Sequence, residues 1–410
     1  MPGRLVSGLM KYRARLVKYQ AQGDRLRCVP ALHDRRRWRR GFAVLAGLAV
    51  LAVAGCAGSF SSSPQGSHTR SGSGGLLTPP SATTPAAPAG EPMGTGLRSG
   101  VTGGTLFGGS LPLVPETARL GRRLAIVRLY FQFGEQFPTA SARAVMRAGS
   151  TVLVSLDSVP GKQQGSYASI IAGQHDAEIK RFLGELEQAA VSYHLGAIYF
   201  SFEHEANAPS HRVLGTPAQF VQAWDHVHAL AASAHLLWND GGRLRFVLVL
   251  THLAYFSAVA RPVWANSEGQ ASSYFPGAQE VDIIAADGYN HGGCKNAGPG
   301  VAVAPRGAPT VTPEALFAPM VNFARSHGGL PVFIAEWGSQ AFAGSAEQAI
   351  FIDQMQAFVA ANHEIAAVMY FDSHSAQYRG CSSSLNNQPE SLSALAAMGN
   401  SPALQGHVIP

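Results

Sequence analysis

Several well-known catalytic and binding signatures are missing from this chain of 410 residues. The string His204-Glu205-Ala206-Asn207-Ala208 has no second histidine at the spacing of a zinc-protease helix, which disfavours a metalloprotease. No Gly-x-Ser-x-Gly elbow follows a strand-like run, and no glycine-rich loop is placed to hold a phosphate. These absences disfavour serine hydrolases of the elbow type and nucleotide-binding enzymes.

Positive charge is also missing where a nucleic-acid-binding domain would need it. Residues 1–40 hold 12 of the 31 Lys and Arg residues but only 2 of the 25 Asp and Glu residues. The rest of the chain therefore has 19 basic and 23 acidic residues, a formal charge of −4. We expect no nucleic-acid partner, and the N-terminal basicity is typical of a targeting segment.

The N-terminal region has the pattern of an export signal. An apolar run over 41–55 has the length of a signal-peptide core and ends in Val53-Ala54-Gly55-Cys56, which looks like a bacterial lipobox with Cys56 as the lipidated residue. An uncleaved signal anchor is the alternative. The predicted organisation is a basic extension (1–40), a signal segment with lipobox (41–56), a flexible Ser/Gly/Pro/Thr-rich linker (57–95), one folded domain (96–400) and a tail (401–410). We therefore expect an exported protein that is lipid-anchored to the membrane at the bacterial cell surface.

The folded region alternates strand-like apolar runs with helical patterns. Apolar residues recur at helical spacing over 179–186, and Thr216-Pro217 and Thr312-Pro313 each combine a cap residue with a proline at the first helical position. Alternation of this kind over about 300 residues predicts an α/β fold, a (β/α)₈ TIM barrel rather than a doubly wound sheet. No repeat of solenoid period is present. The eight predicted strands are 101–107, 124–130, 151–156, 197–202, 244–250, 281–286, 331–335 and 366–371.

Two glutamates lie at the ends of predicted strands. Glu205 follows the fourth strand and Glu336 the seventh. The active site of such barrels lies at the C-terminal ends of the strands, and two carboxyl groups there are what a retaining glycosidase needs. A structural role for either carboxylate is the alternative. Glu203 also competes with Glu205, because residues two apart share one side of an extended strand.

Cysteine is scarce, with four residues in the chain. Cys28 and Cys56 belong to the N-terminal region, which leaves Cys294 after the sixth predicted strand and Cys381 after the eighth. An even pair in an exported domain suggests a disulfide, which would link loops on the active-site face near Glu336. Two free buried thiols are the alternative.

Five strings in the chain form an ordered set. This set resembles glycoside hydrolase family 26, which includes β-mannanases, and the resemblance covers about residues 97–400. The strings are Gly173-Gln174-His175-Asp176, Phe202-Glu203-His204-Glu205-Ala206-Asn207, the run 281–290, Ile334-Ala335-Glu336-Trp337-Gly338 and Val368-Met369-Tyr370-Phe371-Asp372.

The resemblance implies a role for each matching residue. Glu205 corresponds to the general acid/base, Glu336 to the nucleophile and His204 to a histidine in the hydrogen-bond environment of the acid. The predicted substrate-binding set also contains Asn207, Asp287, Tyr289, Trp337 and Tyr370. Tyr289 would donate to the nucleophile, and Trp337 and Tyr370 would pack against sugar rings. Core packing is the alternative for these three aromatic residues.

The resemblance implies a polysaccharide or oligosaccharide substrate, with β-mannan as the first choice, and no cofactor or metal. We expect a monomer. The chain departs from the family at Ser201, where an arginine is common, and at Tyr370, where a tryptophan is common. Aromatic platforms after the second and third strands are not identifiable. A glycan-binding barrel without turnover is therefore one alternative function, and a related enzyme acting on a small glycoside or an envelope polymer is another.

Overall fold

Eight parallel strands close into a barrel in the computed structural model, which describes residues 95–158, 165–257, 269–290, 311–341, 346–373 and 383–410. Each strand pairs with its neighbour in chain order, and the first pairs with the last. The predicted (β/α)₈ barrel is therefore confirmed. The strands are β1 (Leu106–Ser110), β2 (Ile126–Gln132), β3 (Thr151–Asp157), β4 (Ile198–Phe202), β5 (Leu244–Thr251), β6 (Ile283–Asn290), β7 (Val332–Ser339) and β8 (Ile365–Tyr370).

Helices alternate with the strands and cover the outside of the barrel. They are α1 (Thr117–Leu120), α2 (Ala140–Arg147), α3 (Asp176–Ser192), α4 (Pro217–Ser233), α5 (Ala271–Tyr274), α6 (Pro313–Ser326), α7 (Glu347–Ala361) and α8 (Pro389–Asn400). Two further short α-helices lie at Thr95–Ser99 and Tyr167–Ile171. Short 3₁₀ turns lie at Leu111–Glu116, Pro209–Val213, Trp238–Asp240, His252–Tyr255 and Pro402–Leu404.

The predicted helix starts are confirmed. The Thr216 side chain accepts from the backbone N–H of Gln219, and the Gln219 side chain accepts from the backbone N–H of Thr216, so α4 begins with a capping box. Thr312 caps α6 by accepting from the backbone N–H of Ala315. In α3 the residues at helical spacing, Ile179 among them, are buried against the barrel.

The first predicted strand, 101–107, differs from the structure. β1 starts at Leu106, and Val101–Thr102 instead forms an antiparallel pair with His407–Val408. Gly103 and Gly104 adopt positive φ and break the extended chain between the two. Residues 401–410, which the sequence set apart as a tail, thus belong to the base of the barrel.

Side chains alternate between two cores. Inward residues such as Leu153, Tyr199 and Phe333 fill the barrel, whereas outward residues such as Phe200 and Ile334 pack against the helices. Burial on both faces is what a parallel sheet covered by helices requires. The parity of a residue along its strand therefore decides whether it can face the site at the barrel mouth.

The N-terminal predictions lie outside the described residues, because residues 1–94 contain the signal run and Cys56. Cys294 and Cys381 also lie outside them, so the disulfide stays a prediction. In the part of the chain that is described, no helix combines the length and the apolar character needed to cross a membrane.

Candidate active site

A β-bulge in β7 turns Glu336 into the barrel. Ile334 pairs with Ala286 of β6, but the next pair joins Glu336 to Asp287, so β7 holds one extra residue, Ala335. Ile334 packs in the outer core, and without the bulge the alternation of side chains would send Glu336 outward as well. The bulge instead brings its carboxylate to the inward side at the C-terminal end of the barrel.

Both carboxylate oxygens of Glu336 accept hydrogen bonds from tyrosine hydroxyls. Tyr130 of β2 donates to Oε1 and Tyr289 of β6 donates to Oε2. Desolvation raises the pKa of both phenols well above the ordinary value, and the charge of Glu336 adds to the effect, so both stay protonated donors. Two such donors fix the orientation of the carboxylate and stabilise its negative charge.

The structure contains the contact expected of Tyr289, whereas sequence reasoning missed Tyr130. A signal for Tyr130 was present, since it ends the second predicted strand and shares the inward parity of Ile126. No motif marked it, because a tyrosine at a strand end is common in barrel cores.

We expect Tyr130→Phe and Tyr289→Phe each to lower kcat by about 10²-fold on a glycan that the wild type hydrolyses, because each removes one preorganised hydrogen-bond donor. The double variant should lose less than the product of the two effects, since both donors serve one carboxylate. Steady-state kinetics measure this. Tyr199→Phe is the matched control, because its buried hydroxyl bonds the carbonyl of Ser99 at the other end of the barrel. An equal loss in the control would contradict a specific role for the pair.

The chain leaves β4 through a tight turn that carries Glu203 and Glu205. Both residues adopt left-handed backbone conformations, with φ of 51° and 54°. Such conformations cost on the order of 1–3 kcal/mol in non-glycine residues and cluster at functional sites. Backbone hydrogen bonds from Glu203 to Leu156 and from Glu205 to Val249 hold the turn. Because this backbone is not extended, the expectation that the two side chains share one side fails.

Glu203 and Glu205 end in different surroundings. Glu203 is buried, accepts from the backbone N–H of Ser158 at 2.7 Å, and lies 3.5 Å from Nε2 of the buried His211. Glu205 is partly exposed. A carboxylate with no exposed surface cannot reach a polysaccharide, so the geometry favours Glu205 over Glu203 as the acid/base.

His204 links the turn to the end of β3. Its Nδ1 lies 3.0 Å from Oδ1 of Asp157, and its ring centroid lies 5.3 Å from that of Tyr130. Burial opposes the charged imidazole, but the Asp157 carboxylate outweighs it and raises the pKa of His204. His204 therefore contacts the Asp157 carboxylate and the ring of Tyr130, and its place in the hydrogen-bond environment of the acid stays a prediction.

Asp287 is only 2% exposed and pairs with Glu336 across β6 and β7. Burial and the neighbouring Glu336 raise the pKa of Asp287 well above its ordinary value, while the Arg128 charge acts in the opposite direction. Glu205 also acts electrostatically on Asp287. This buried carboxyl thus lies within the field of both candidate catalytic glutamates.

Three of the predicted substrate-binding residues belong to the framework instead. The Asn207 amide donates to Thr251 Oγ1 at 2.8 Å and accepts from the Thr251 backbone N–H at 2.9 Å, which joins the turn to the end of β5. Trp337 and Tyr370 are fully buried in the outer core with ring centroids 4.9 Å apart. The Tyr370 hydroxyl donates to the carbonyl of Ser383 at 2.6 Å. All three predictions are corrected, because these side chains have no surface to offer a sugar.

Phe371, which directly follows β8, faces the site. It is partly exposed, and its ring centroid lies 6.4 Å from that of Tyr130 and 6.1 Å from that of Tyr289, edge-on to both. Phe371 shares the inward parity of Met369, whereas Tyr370 points outward. At this strand end Phe371, and not Tyr370, is therefore the aromatic side chain on the inward side.

We expect Trp337→Ala to lower the free energy of unfolding by about 3–5 kcal/mol, because it opens a cavity in the outer core. Phe371→Ala should leave stability nearly unchanged and lower kcat/KM by about 3- to 10-fold, the equivalent of one lost aromatic contact. Denaturant unfolding and steady-state kinetics on both variants test this. A stable Trp337→Ala protein with weakened substrate binding would restore the platform role of Trp337.

One group within the described ranges could hold a metal ion. Asp157, Glu203 and His211 are buried, and each offers a ligand atom within 4.8 Å of the others. Asp157 also pairs with His204, and Glu203 also accepts from Ser158. These contacts make the group a buried polar network behind the turn that carries Glu205.

No protein-family model matches the chain, and a comparison with curated proteins finds no match. Among solved structures, the chain is similar to a GH26 β-mannanase from Bacteroides ovatus, with 12% identity and a TM-score of 0.49 over 75% of this chain and 91% of that chain. It is similar to a GH5-4 broad-specificity endoglucanase from Clostridium longisporum, with 12% identity and a TM-score of 0.48 over 70% and 85% of the two chains. It is also similar to an endo-1,4-β-D-mannanase from Thermotoga petrophila, with 11% identity and a TM-score of 0.45 over 72% and 99%. These three structural neighbours are glycoside hydrolases at low sequence identity.

Proposed function

We propose that this protein is a retaining glycoside hydrolase that cleaves a β-linked polysaccharide, with β-mannan as the first substrate to test. One observation carries the proposal. Glu336, with both oxygens held by tyrosine hydroxyls, lies at the same end of the barrel as the partly exposed Glu205. This end of a (β/α)₈ barrel is where substrates bind, and two carboxyl groups there can run a double displacement.

The first step forms a glycosyl-enzyme. A Glu336 oxygen attacks the anomeric carbon, the glycosidic C–O bond breaks, and Glu205 gives its proton to the leaving oxygen. In the second step Glu205 takes a proton from water, the water oxygen attacks the anomeric carbon, and the bond to Glu336 breaks. Tyr130 and Tyr289 stabilise the charge that Glu336 carries before attack and after release.

The stereochemical outcome tests this proposal. The full chain is incubated with β-mannan, xylan and mixed-linkage β-glucan, and the anomeric proton signals of the first products are followed by NMR. We expect the β-anomer of at least one product to form before mutarotation. Release of the α-anomer first would contradict double displacement. Binding without product release would instead support the glycan-binding alternative.

We also propose that the enzyme is exported and works as a monomer, held at the cell surface by a lipid on Cys56, with Cys294 and Cys381 bridged. The sequence pattern of the signal region and the even cysteine pair support this. A single chain carries both candidate catalytic glutamates, so a partner chain is not needed for them. Metabolic labelling with palmitate should mark the wild type and not Cys56→Ser; equal labelling of both would contradict lipidation there.

A further inference from the structure

Arg128 is a buried cation beneath the proposed site. It lies on β2 two residues before Tyr130, so both share the inward side of the strand. Only 1% of the residue is exposed, and Nε, Nη1 and Nη2 have no hydrogen-bond partner among the described residues. Burying a charged guanidinium without partners is costly, which indicates that its charge compensates something nearby.

The neighbouring strands leave room for this side chain. Ser155 of β3 pairs with Tyr130, and Ser201 of β4 pairs with Ser155, so the inward positions beside Tyr130 are small. The guanidinium carbon lies 4.8 Å from the centroid of the Tyr130 ring, a cation–π contact. Tyr130 in turn donates to Glu336. Arg128 therefore packs against the ring that holds the candidate nucleophile.

Negative charge surrounds Arg128 from several strands. Asp287, Glu336 and Asp157 all act on it in the direction that favours its charged form. The two carboxylate oxygens of Asp287 are buried and have no hydrogen-bond partner among the described residues. A nearby cation lowers the free-energy cost of ionising a buried carboxyl group, and this is the direction in which Arg128 acts on Asp287. The titratable groups that interact electrostatically with Arg128, with Asp287 or with both are Tyr130, Asp157, His204, Glu205, Tyr255, Tyr289 and Glu336.

We propose that Arg128 is a positioning residue. Its buried guanidinium packs against the tyrosine ring that orients Glu336, and its positive charge offsets part of the negative charge that the neighbouring carboxyl groups place around it. The link to catalysis rests on the proposed glycosidase function, whereas the electrostatic role does not depend on it.

The electrostatic role is tested by NMR titration of the full chain with ¹³C-labelled aspartate side chains, in which Asp287→Asn assigns the signal. Arg128→Met removes the charge at similar length, Arg128→Lys keeps a charge, and Arg245→Met removes a buried arginine at the other end of the barrel. We expect the ionisation midpoint of Asp287 to rise by about one pH unit or more in Arg128→Met. It should stay near the wild-type value in Arg128→Lys and Arg245→Met. An unmoved midpoint in Arg128→Met would overturn the proposal.

If Arg128→Met does not fold, Arg128→Lys carries the test. It keeps the charge and loses the planar contact with Tyr130, so the Asp287 midpoint should stay within about half a pH unit of the wild type. A midpoint raised by a full unit in this variant would show that charge at residue 128 is not what supports Asp287.

The catalytic role needs a second readout. On a glycan that the wild type hydrolyses, we expect Arg128→Met to lower kcat by about 10²-fold. The acidic limb in the pH profile of kcat/KM should move to a pH that is higher by about one unit. A residue of merely structural importance would lower the rate without moving the limb. An inactive wild type with the Asp287 shift intact would refute the glycosidase and leave the electrostatic role standing. If the wild type is active and Arg128→Met has an unchanged pH profile, the proposed role of Arg128 is refuted and the glycosidase proposal stands.

Discussion

Replacing Glu336 by alanine should reduce glycan hydrolysis by at least about 10⁴-fold, because the variant has no group to attack the anomeric carbon. The change removes the side chain of a residue that is 8% exposed and leaves two tyrosine hydroxyls without the carboxylate that accepts from them. We therefore expect a modest loss of stability, about 1–3 kcal/mol, and a folded protein. Initial rates on the responsive glycan and circular dichroism of the same sample measure both effects.

Chemical rescue separates a lost nucleophile from a damaged site. Azide is small enough to occupy the space left in Glu336→Ala, and with an activated aryl glycoside it should restore turnover and yield a glycosyl azide of inverted configuration. Glu364→Ala is the matched control, because Glu364 pairs with the exposed Arg325 on the surface. We expect the control to keep wild-type rates without azide. Wild-type activity in Glu336→Ala would remove Glu336 from the mechanism.

Replacing Glu205 by alanine should produce a loss that depends on the leaving group. On a polysaccharide we expect a drop of about 10²–10⁴-fold, because the departing sugar oxygen needs a proton. On a 2,4-dinitrophenyl glycoside the first step should stay close to the wild-type rate, since that phenolate leaves without protonation. Burst kinetics on the activated substrate, with slow release of the sugar, measure the separation of the two steps.

Glu203→Gln is the matched comparison for Glu205. Glu203 is buried against Ser158 and His211, so its replacement should change stability and leave hydrolysis within about tenfold of the wild type. If Glu203→Gln showed the leaving-group dependence and Glu205→Ala did not, the acid/base role would pass to Glu203.

The barrel was predictable wherever the strands are continuous apolar runs, as in β3 and β5. β1 was misplaced because Gly108 and Gly109 are typical of a loop. In the structure a side chain at Gly108 would collide with Ile126 of β2, and one at Gly109 with Leu113, so these glycines belong to a tightly packed strand. The need for glycine at these two positions comes from tertiary contacts, which leave no local pattern in the sequence.

The positions of the site residues in the sequence were predictable, but the directions in which their side chains point were not. Glu336 faces inward only because of the extra residue Ala335 in β7, and the register of β6 and β8 is needed to see it. The left-handed backbone at Glu203 and Glu205 likewise breaks the alternation of side chains along the strand. The expectation that these two glutamates share one side depended on that alternation. Phe371 rather than Tyr370 points inward for a related reason, because a shift of one residue along a strand turns the side chain to the opposite face.

Arg128 shows a further limit of sequence reasoning. It lies inside an apolar run, where an arginine would usually be assigned to an exposed strand edge, and its value as a buried cation depends on carboxylates from β3, β6 and β7. Spacing within the chain does not reveal that Asp157, Asp287 and Glu336 surround it.

The most direct test of the retaining mechanism is to trap its intermediate. The full chain is incubated with 2-deoxy-2-fluoro β-glycosides that carry a dinitrophenyl leaving group, and the intact mass and the digested peptides are measured by mass spectrometry. We expect one sugar per chain, attached to the peptide that contains Glu336, and no adduct in Glu336→Ala. An adduct on Glu205 or Glu203, or turnover of a polysaccharide with inversion and no adduct, would contradict the assignment of Glu336 as the nucleophile.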